Sequence, residues 1–196
     1  MHDSLPVNDE LLIRELQNQV RVYHDQAAYK ALFLHLMPSI QNFAFSIVKS
    51  RQWAEEIACD MLMEVWIRRD RLHEISNLRL YLLTGAKNAA IRKLRTENKM
   101  ARFSIEELEV EFISDYCSPS DQLESTELAA AIRDAIQQLP PRCKMIYKLA
   151  KEDKLPYADI SQLLDISVKT IDNQLSIALS KIAEAIRRVV DQPLRK

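Results

Sequence analysis

The chain has 196 residues, a formal net charge of -1, 47% hydrophobic and 28% charged residues, enough for one large or two small domains burying roughly 70% of the unfolded surface without a covalent staple. Three cysteines, Cys59, Cys117 and Cys143, lie far apart and never form a CxxC pair, which argues against structural zinc and disulfides and fits a reducing cytoplasm. Without a run of about 18 apolar residues or a basic-then-apolar N-terminus, neither membrane insertion nor export is expected.

Abundant Ala, Leu, Ile, Glu and Lys with a single glycine, Gly85, predict an all-α chain. Helical apolar spacing covers Leu11 to Tyr23 and Tyr29 to Met37, and Pro38 is expected to separate the second stretch from a helix over Ile40 to Val48. In the next helix Ala54, Ile57, Ala58, Met61, Leu62 and Val65 recur at three and four residues and make one core-facing stripe. Off that stripe lie Glu55, Glu56, Asp60, Met63 and Glu64, an acidic surface with a methionine in it. The run 77–98, NLRLYLLTGAKNAAIRKLRTEN, reads as a long helix opened by an Asn cap, apolar in its first half and a basic ridge in its second. From Ser104 to Thr126 periodicity fails in an acidic stretch holding Ser-Pro-Ser, the natural linker. Order resumes with Leu128, Ile132, Ala135, Ile136 and Leu139 in a helix stopped by Pro140 and Pro141, and another helix runs from about Arg142 to Asp153. The expected organisation is two small helical domains, 1–103 and 127–190, joined by an acidic linker, 104–126.

Net charge near zero conceals segregation. Lys and Arg against Asp and Glu number five against nine up to Ile67, ten against three from Arg68 to Phe103, one against nine from Ser104 to Asp134, and eleven against seven thereafter. Blocks of this kind are usually solvated faces, yet their alternation by segment suggests different partners for different parts.

The stretch 157–183, YADISQLLDISVKTIDNQLSIALSKIA, holds two apolar-patterned pieces around a short interruption. Ala158, Ile160, Leu163 and Leu164 make one face, Ile171, Leu175, Ala178, Leu179 and Ile182 the other, and both need the same core. A turn of Asp165, Ile166 and Ser167 forces a steep crossing, with Ile166 in the angle, Ser167 capping the second helix and Ala158 where the backbones approach. The pattern is that of a helix-turn-helix. Left outward are Lys169, Thr170, Asn173, Gln174, Ser176 and Ile177. Asn and Gln can bond adenine bidentately, Lys reaches guanine or phosphate, and Thr or Ile touches a thymine methyl. Arg142, Lys144, Lys148 and Lys181 are candidate phosphate contacts. The alternative is an antiparallel hairpin in an ordinary helical bundle.

Taken together, these segments make the whole chain resemble a bacterial RNA polymerase sigma factor of the extracytoplasmic-function type. LPPRCKMIYKLAKEDKLPYADISQLLDISVKTIDNQLSIALSKI resembles region 4, which reads the promoter −35 element; AEEIACDMLMEVWIRRDRL followed by NLRLYLLTGAKNAAIRKLR resembles region 2, which binds polymerase core and the −10 element. The resemblance implies that Glu55, Glu56, Asp60, Met63 and Glu64 dock on the core enzyme. It implies that Lys87, Arg92, Lys93, Arg95 and Lys99 grip promoter backbone, that Asn88 contacts a −10 base, and that the loop of His73, Glu74, Ile75, Ser76 and Asn77 flanks a pocket for an extruded base. The implied partners are RNA polymerase core, promoter DNA and an anti-sigma protein, with no cofactor, metal or catalytic residue. Departures from the family pattern are Cys59 where Gln is usual, Asp165 where Gly is common, Gln174 for a frequent His or Arg, and Ile177 for a frequent Arg.

Other classes fit less. A response regulator ends in a similar helix-turn-helix, but the first 125 residues lack the strand period its receiver needs. An enzyme finds no metal-ligand spacing among His2, His24, His35 and His73 and, with one glycine, no Gly-rich phosphate loop. A non-DNA-binding helical interaction protein leaves the basic ridge and the amide-bearing face without a purpose.

Overall fold

The computed structural model describes residues 6–98 and 127–190, all in helices and the turns between them, and the chain divides into two compact units, Met1–Phe103 and Ser104–Lys196. The expected linker, 104–126, and Lys99 of the basic ridge lie outside the described residues.

In the first unit α1 (Pro6–Tyr23), α2 (Gln26–Val48), α3 (Arg51–Ile67) and α4 (Leu78–Asn98) surround a common core, with a short 3-10 helix, Arg69–Glu74, between α3 and α4. The caps are local in origin. Asp25 accepts from the Ala27 and Ala28 amides at 2.8 and 3.3 Å, Ser50 from Trp53 at 3.3 Å, and Asn77 from Leu80 at 3.0 Å, each satisfying amides that a helix start leaves open.

Pro38 does not separate two helices; α2 runs through it. An interior proline removes a hydrogen bond and costs about 3 kcal/mol. Against it, Leu32, Leu36, Ile40, Phe43 and Ile47 are buried along α2, at about 1.5–3 kcal/mol each. Tertiary burial therefore outweighs the local break. By length and composition α2 is also apolar enough to cross a membrane, contrary to the expectation that no such run exists. Here it packs against α1, α3 and α4, and that central position accounts for its apolarity.

Of the expected α3 stripe, Ala54, Ile57, Ala58, Leu62 and Val65 are buried and Met61, at its edge, is half-buried. Close approach of α3 and α4 explains Gly85: a Cβ there would lie 2.5 Å from the Met61 sulfur.

In the second unit α5 (Glu127–Gln137) is followed by α6 (Pro141–Tyr147), which runs into a π turn, Lys148–Glu152, and then by α7 (Tyr157–Leu164) and α8 (Val168–Val190). Pro140 and Pro141 do more than stop α5. Pro141 occupies the first turn of α6, where its missing N–H has no helical partner to lose. Leu139, Cys143 and Ala178 meet in the core, flanked by Ile136 and Tyr147.

Between α7 and α8 Asp165 takes the left-handed conformation, φ 55° and ψ 50°, which a short polar side chain tolerates better than most. The Ser161 hydroxyl donates to the Ile166 carbonyl at 2.6 Å, and the Thr170 amide donates to Ser167 Oγ at 3.1 Å. The turn is thus closed on one side and caps α8 on the other. Two expectations fail here. Ala158 is exposed, because α7 begins at Tyr157 and buries Ile160, Leu163 and Leu164 instead. Leu179 is 48% exposed: the buried stripe of α8 steps through Ile171, Leu175, Ala178 and Ile182, and the residue after Ala178 is turned about 100° away.

Two outcomes test these packings. Gly85→Ala gains about 1 kcal/mol of helix propensity but meets Met61, so urea unfolding should show it more favourable in a Met61→Ala background than in the parent; equal effects would mean that the sulfur contact is immaterial. Asp165→Gly should raise the unfolding free energy of the second unit by up to about 1 kcal/mol, and Asp165→Val should lower it, through the left-handed backbone alone.

Candidate nucleic-acid interface

Because α8 buries one stripe, the opposite side is presented by default. Lys169, Asn173, Ser176 and Ile177 are exposed on it, at spacings of three and four that bring them onto one face. Thr170 is half-buried, its hydroxyl 2.9 Å from Ser167 Oγ, so the cap already engages it. Gln174 is also half-buried, and its backbone carbonyl accepts from the Cys143 thiol at 3.2 Å. The Ser176 hydroxyl donates back to the Asp172 carbonyl at 2.9 Å. Asp172, absent from the expected contact set, is exposed among these residues and sets a negative charge beside them.

The basic residues expected at phosphate fall into two groups. Lys181 is exposed and Arg142 half-buried. Lys144 is 7% exposed and its ammonium donates to Gln137 Oε1 at 3.3 Å, so its charge is turned inward to a partner rather than presented to solvent. Lys148 is paired with Glu152 at 2.8 Å. Burial lifts the Cys143 thiol above its usual range, partly countered by the Lys181 ammonium, so it stays a neutral packing group.

On the first unit Asn88, Arg92 and Arg95 are exposed along one side of α4. Lys87 is half-buried. Lys93 turns instead toward α3, bonding Glu56 at 3.1 Å and lying 5.4 Å from the Trp53 ring centre. Among the described residues the exposed part of the ridge is therefore Arg92 and Arg95, and Lys93 is engaged by the acidic face beside it. That face keeps Glu55, Asp60 and Met63 exposed, with Ile67 added to its apolar part, while Glu64 is engaged by Arg68. Cys59 lies among them, its thiol pushed up by burial and then by the Glu55 and Asp60 carboxylates, which disfavour a thiolate.

His73 and Glu74, expected in the loop, close the 3-10 helix instead; His73 there and Ser76 just after it are exposed, while Asn77 is held as the α4 cap. Arg71 and Glu74 form a two-point ion pair at 3.0 and 2.9 Å, and that bonding holds the Glu74 carboxyl below its usual range. His73 Nδ1 lies 3.1 Å from the Asp70 carbonyl. Sequence reasoning missed Gln17, whose side-chain amide bonds the Leu72 and Ile75 carbonyls at 2.8 Å each. Its signal was present: an amide on the stripe of Ile13 and Val20, where an apolar residue would be routine.

Two family models match the two units in order: "Sigma-70 region 2" over residues 32–100 and "Sigma-70, region 4" over residues 129–182. The chain is 24% identical over 173 residues to the ECF RNA polymerase sigma factor RpoE of Cereibacter sphaeroides, covering 86% of this chain and 92% of that protein. It is 21% identical over 185 residues to the ECF RNA polymerase sigma factor SigW of Bacillus subtilis, covering 91% and 98%. A solved structure of the sigma factor RpoE in complex with the anti-sigma factor NepR from Bartonella quintana shares the fold, with a TM-score of 0.54 and 23% identity over 84% of this chain and 98% of that one. With both sigma-70 regions present in the family's order, and full-length relatives of one type, the chain belongs to the sigma-70 family as a sigma factor of the extracytoplasmic-function type.

Proposed function

We propose that this sigma factor binds RNA polymerase core through the acidic and apolar face of α3, reads the −10 element with α4 and the loop before it, and reads the −35 element with α8. The observation that carries this division is the exposed stripe of Lys169, Asn173, Ser176 and Ile177 on a helix whose other side is spent on the core. An acidic face at Glu55, Glu56 and Asp60 complements a basic partner, and Met63 and Ile67 supply apolar area within it.

On the promoter, Arg92 and Arg95 neutralise phosphate and release counterions, giving affinity without sequence choice. Asn88 on the same side contacts a −10 base, and His73, Ser76 and Asn77 border a site for an extruded one. Extrusion costs a few kcal/mol of stacking, which contacts in that site must return. In the second unit Lys181 and Arg142 hold phosphate while Lys169, Asn173 and Ile177 face base edges, with Thr170 and Gln174 at the margin. Residues 104–126 connect the two reading heads, making domains of 1–103 and 127–190. The protein makes and breaks no bond itself, acts in the cytoplasm with core enzyme, and is held inactive by an anti-sigma protein covering its polymerase-binding faces.

Separable losses test the division of labour. Lys169→Ala with Asn173→Ala should abolish dependence of run-off transcription on the −35 sequence and leave co-purification with core polymerase intact. Glu56→Lys with Asp60→Lys should do the reverse; loss of core binding by the first pair would overturn the assignment. Arg92→Ala should weaken promoter binding alike on all sequences and reduce the salt slope by about one.

A further inference from the structure

We infer that Gln17 is a positioning residue for the −10 reading loop, setting which base that loop accepts; this rests on the proposed role of residues 73–77. Gln17 lies on α1, far from the loop in sequence, and is 9% exposed. Its amide nitrogen donates to the Leu72 carbonyl and to the Ile75 carbonyl, each at 2.8 Å. Two donors on one nitrogen thereby hold two acceptors three residues apart. The Leu72 carbonyl also accepts from the Ile75 amide at 3.2 Å, so the stretch of chain from Leu72 to Ile75 is closed into a ring by one side chain and one backbone bond.

The presented part of the loop leaves directly from that ring. Ser76 comes immediately after Ile75, and Asn77 is fixed in turn by capping α4. The backbone carrying Ser76 is thus suspended between the Gln17 amide on one side and the first turn of α4 on the other. The start of the 3-10 helix is held from the same helix: His24, just past the end of α1, bonds Asp70 at 2.9 Å. An apolar residue at position 17 would fill the same space beside Ile13 and Val20, but it would take the Gln17 donor from the half-buried Ile75 carbonyl and leave the buried Leu72 carbonyl with the Ile75 amide alone. A pocket for an extruded base discriminates by placing donors and acceptors to within fractions of an ångström, so relaxing its backbone costs selectivity before it costs binding.

The full chain, with core polymerase, is tested on templates bearing each base at each −10 position and on a matching −35 set. Gln17→Met keeps length and removes the donors; Gln17→Glu keeps shape and turns an acceptor toward the carbonyls. Both should reduce the preference among −10 bases about fivefold or more, the scale of one readout contact, while −35 preference stays as in the parent. Ile13→Ala, which destabilises the same buried stripe but removes no hydrogen bond to the loop, should leave both preferences unchanged. Equal loss on every −10 template, unchanged preference in the Gln17 variants, or the same flattening in Ile13→Ala overturns the inference. Should Gln17→Met not fold, Gln17→Asn, which withdraws the amide by one methylene, carries the same expectation. If the parent itself directs no promoter-dependent transcription, the loop's role fails separately. Hydrogen exchange then decides the tether: faster exchange at residues 73–77 in Gln17→Met, with α4 unchanged, supports it, and unchanged exchange removes it.

Discussion

Burial of α2 is the constraint on which the first unit rests. Leu32, Leu36, Ile40, Phe43, Ala44 and Ile47 are removed from water along it, and α1, α3 and α4 each set an apolar side against it. A helix used on several sides tolerates an interior proline because the break costs one hydrogen bond while burial is summed over many side chains. It also dictates the exterior: once α3 and α4 have turned their apolar stripes inward, their acidic and basic sides face out. The surfaces proposed for polymerase and the −10 element are what that packing leaves over.

The second unit obtains its outward face from a single backbone conformation. Asp165 in the left-handed region, with Ser161 and Ser167 bonding the backbone on either side, turns the chain sharply enough for α7 and α8 to share one core. Ile160, Leu163, Leu164, Ile171 and Leu175 are buried there, and the amide-bearing side of α8 has nowhere to go but solvent. Propensity would not distinguish this from a longer hairpin; the local hydrogen bonds around the turn do.

Charge is legible in the sequence only more coarsely than packing. The contrast between an acidic α3 and a basic α4 is visible in a residue count, yet Lys93 bonds Glu56 across the two helices and Lys144 is withdrawn to Gln137. Exposed pairs such as the first contribute only about 0.2–1 kcal/mol, so they redistribute contacts more than they stabilise. Their consequence is local: among the described residues of the expected ridge the cations left exposed are Arg92 and Arg95, and Glu56 of α3 is already partly neutralised by Lys93.

The amino-acid sequence alone determined the helical class, the stripes of α3 and α8, the Asn77 and Ser167 caps, the left-handed tolerance of Asp165 and the resemblance to the sigma-70 regions. The class follows from composition and the resemblance from long ordered segments, while the stripes, the caps and the turn depend on residues within about two helical turns of one another, a spacing written directly in the order of the chain. Tertiary structure decided the rest: the continuity of α2 through Pro38, the exposure of Ala158 and Leu179, the inward turn of Lys144, the pairing of Lys93, and the hold of Gln17 on Leu72 and Ile75, 55 and 58 residues away. For Pro38, Lys93 and Gln17 the outcome depends on which distant group is met, and no local period encodes that meeting; for Ala158, Leu179 and Lys144 it depends on where each helix begins and which of its sides faces the core.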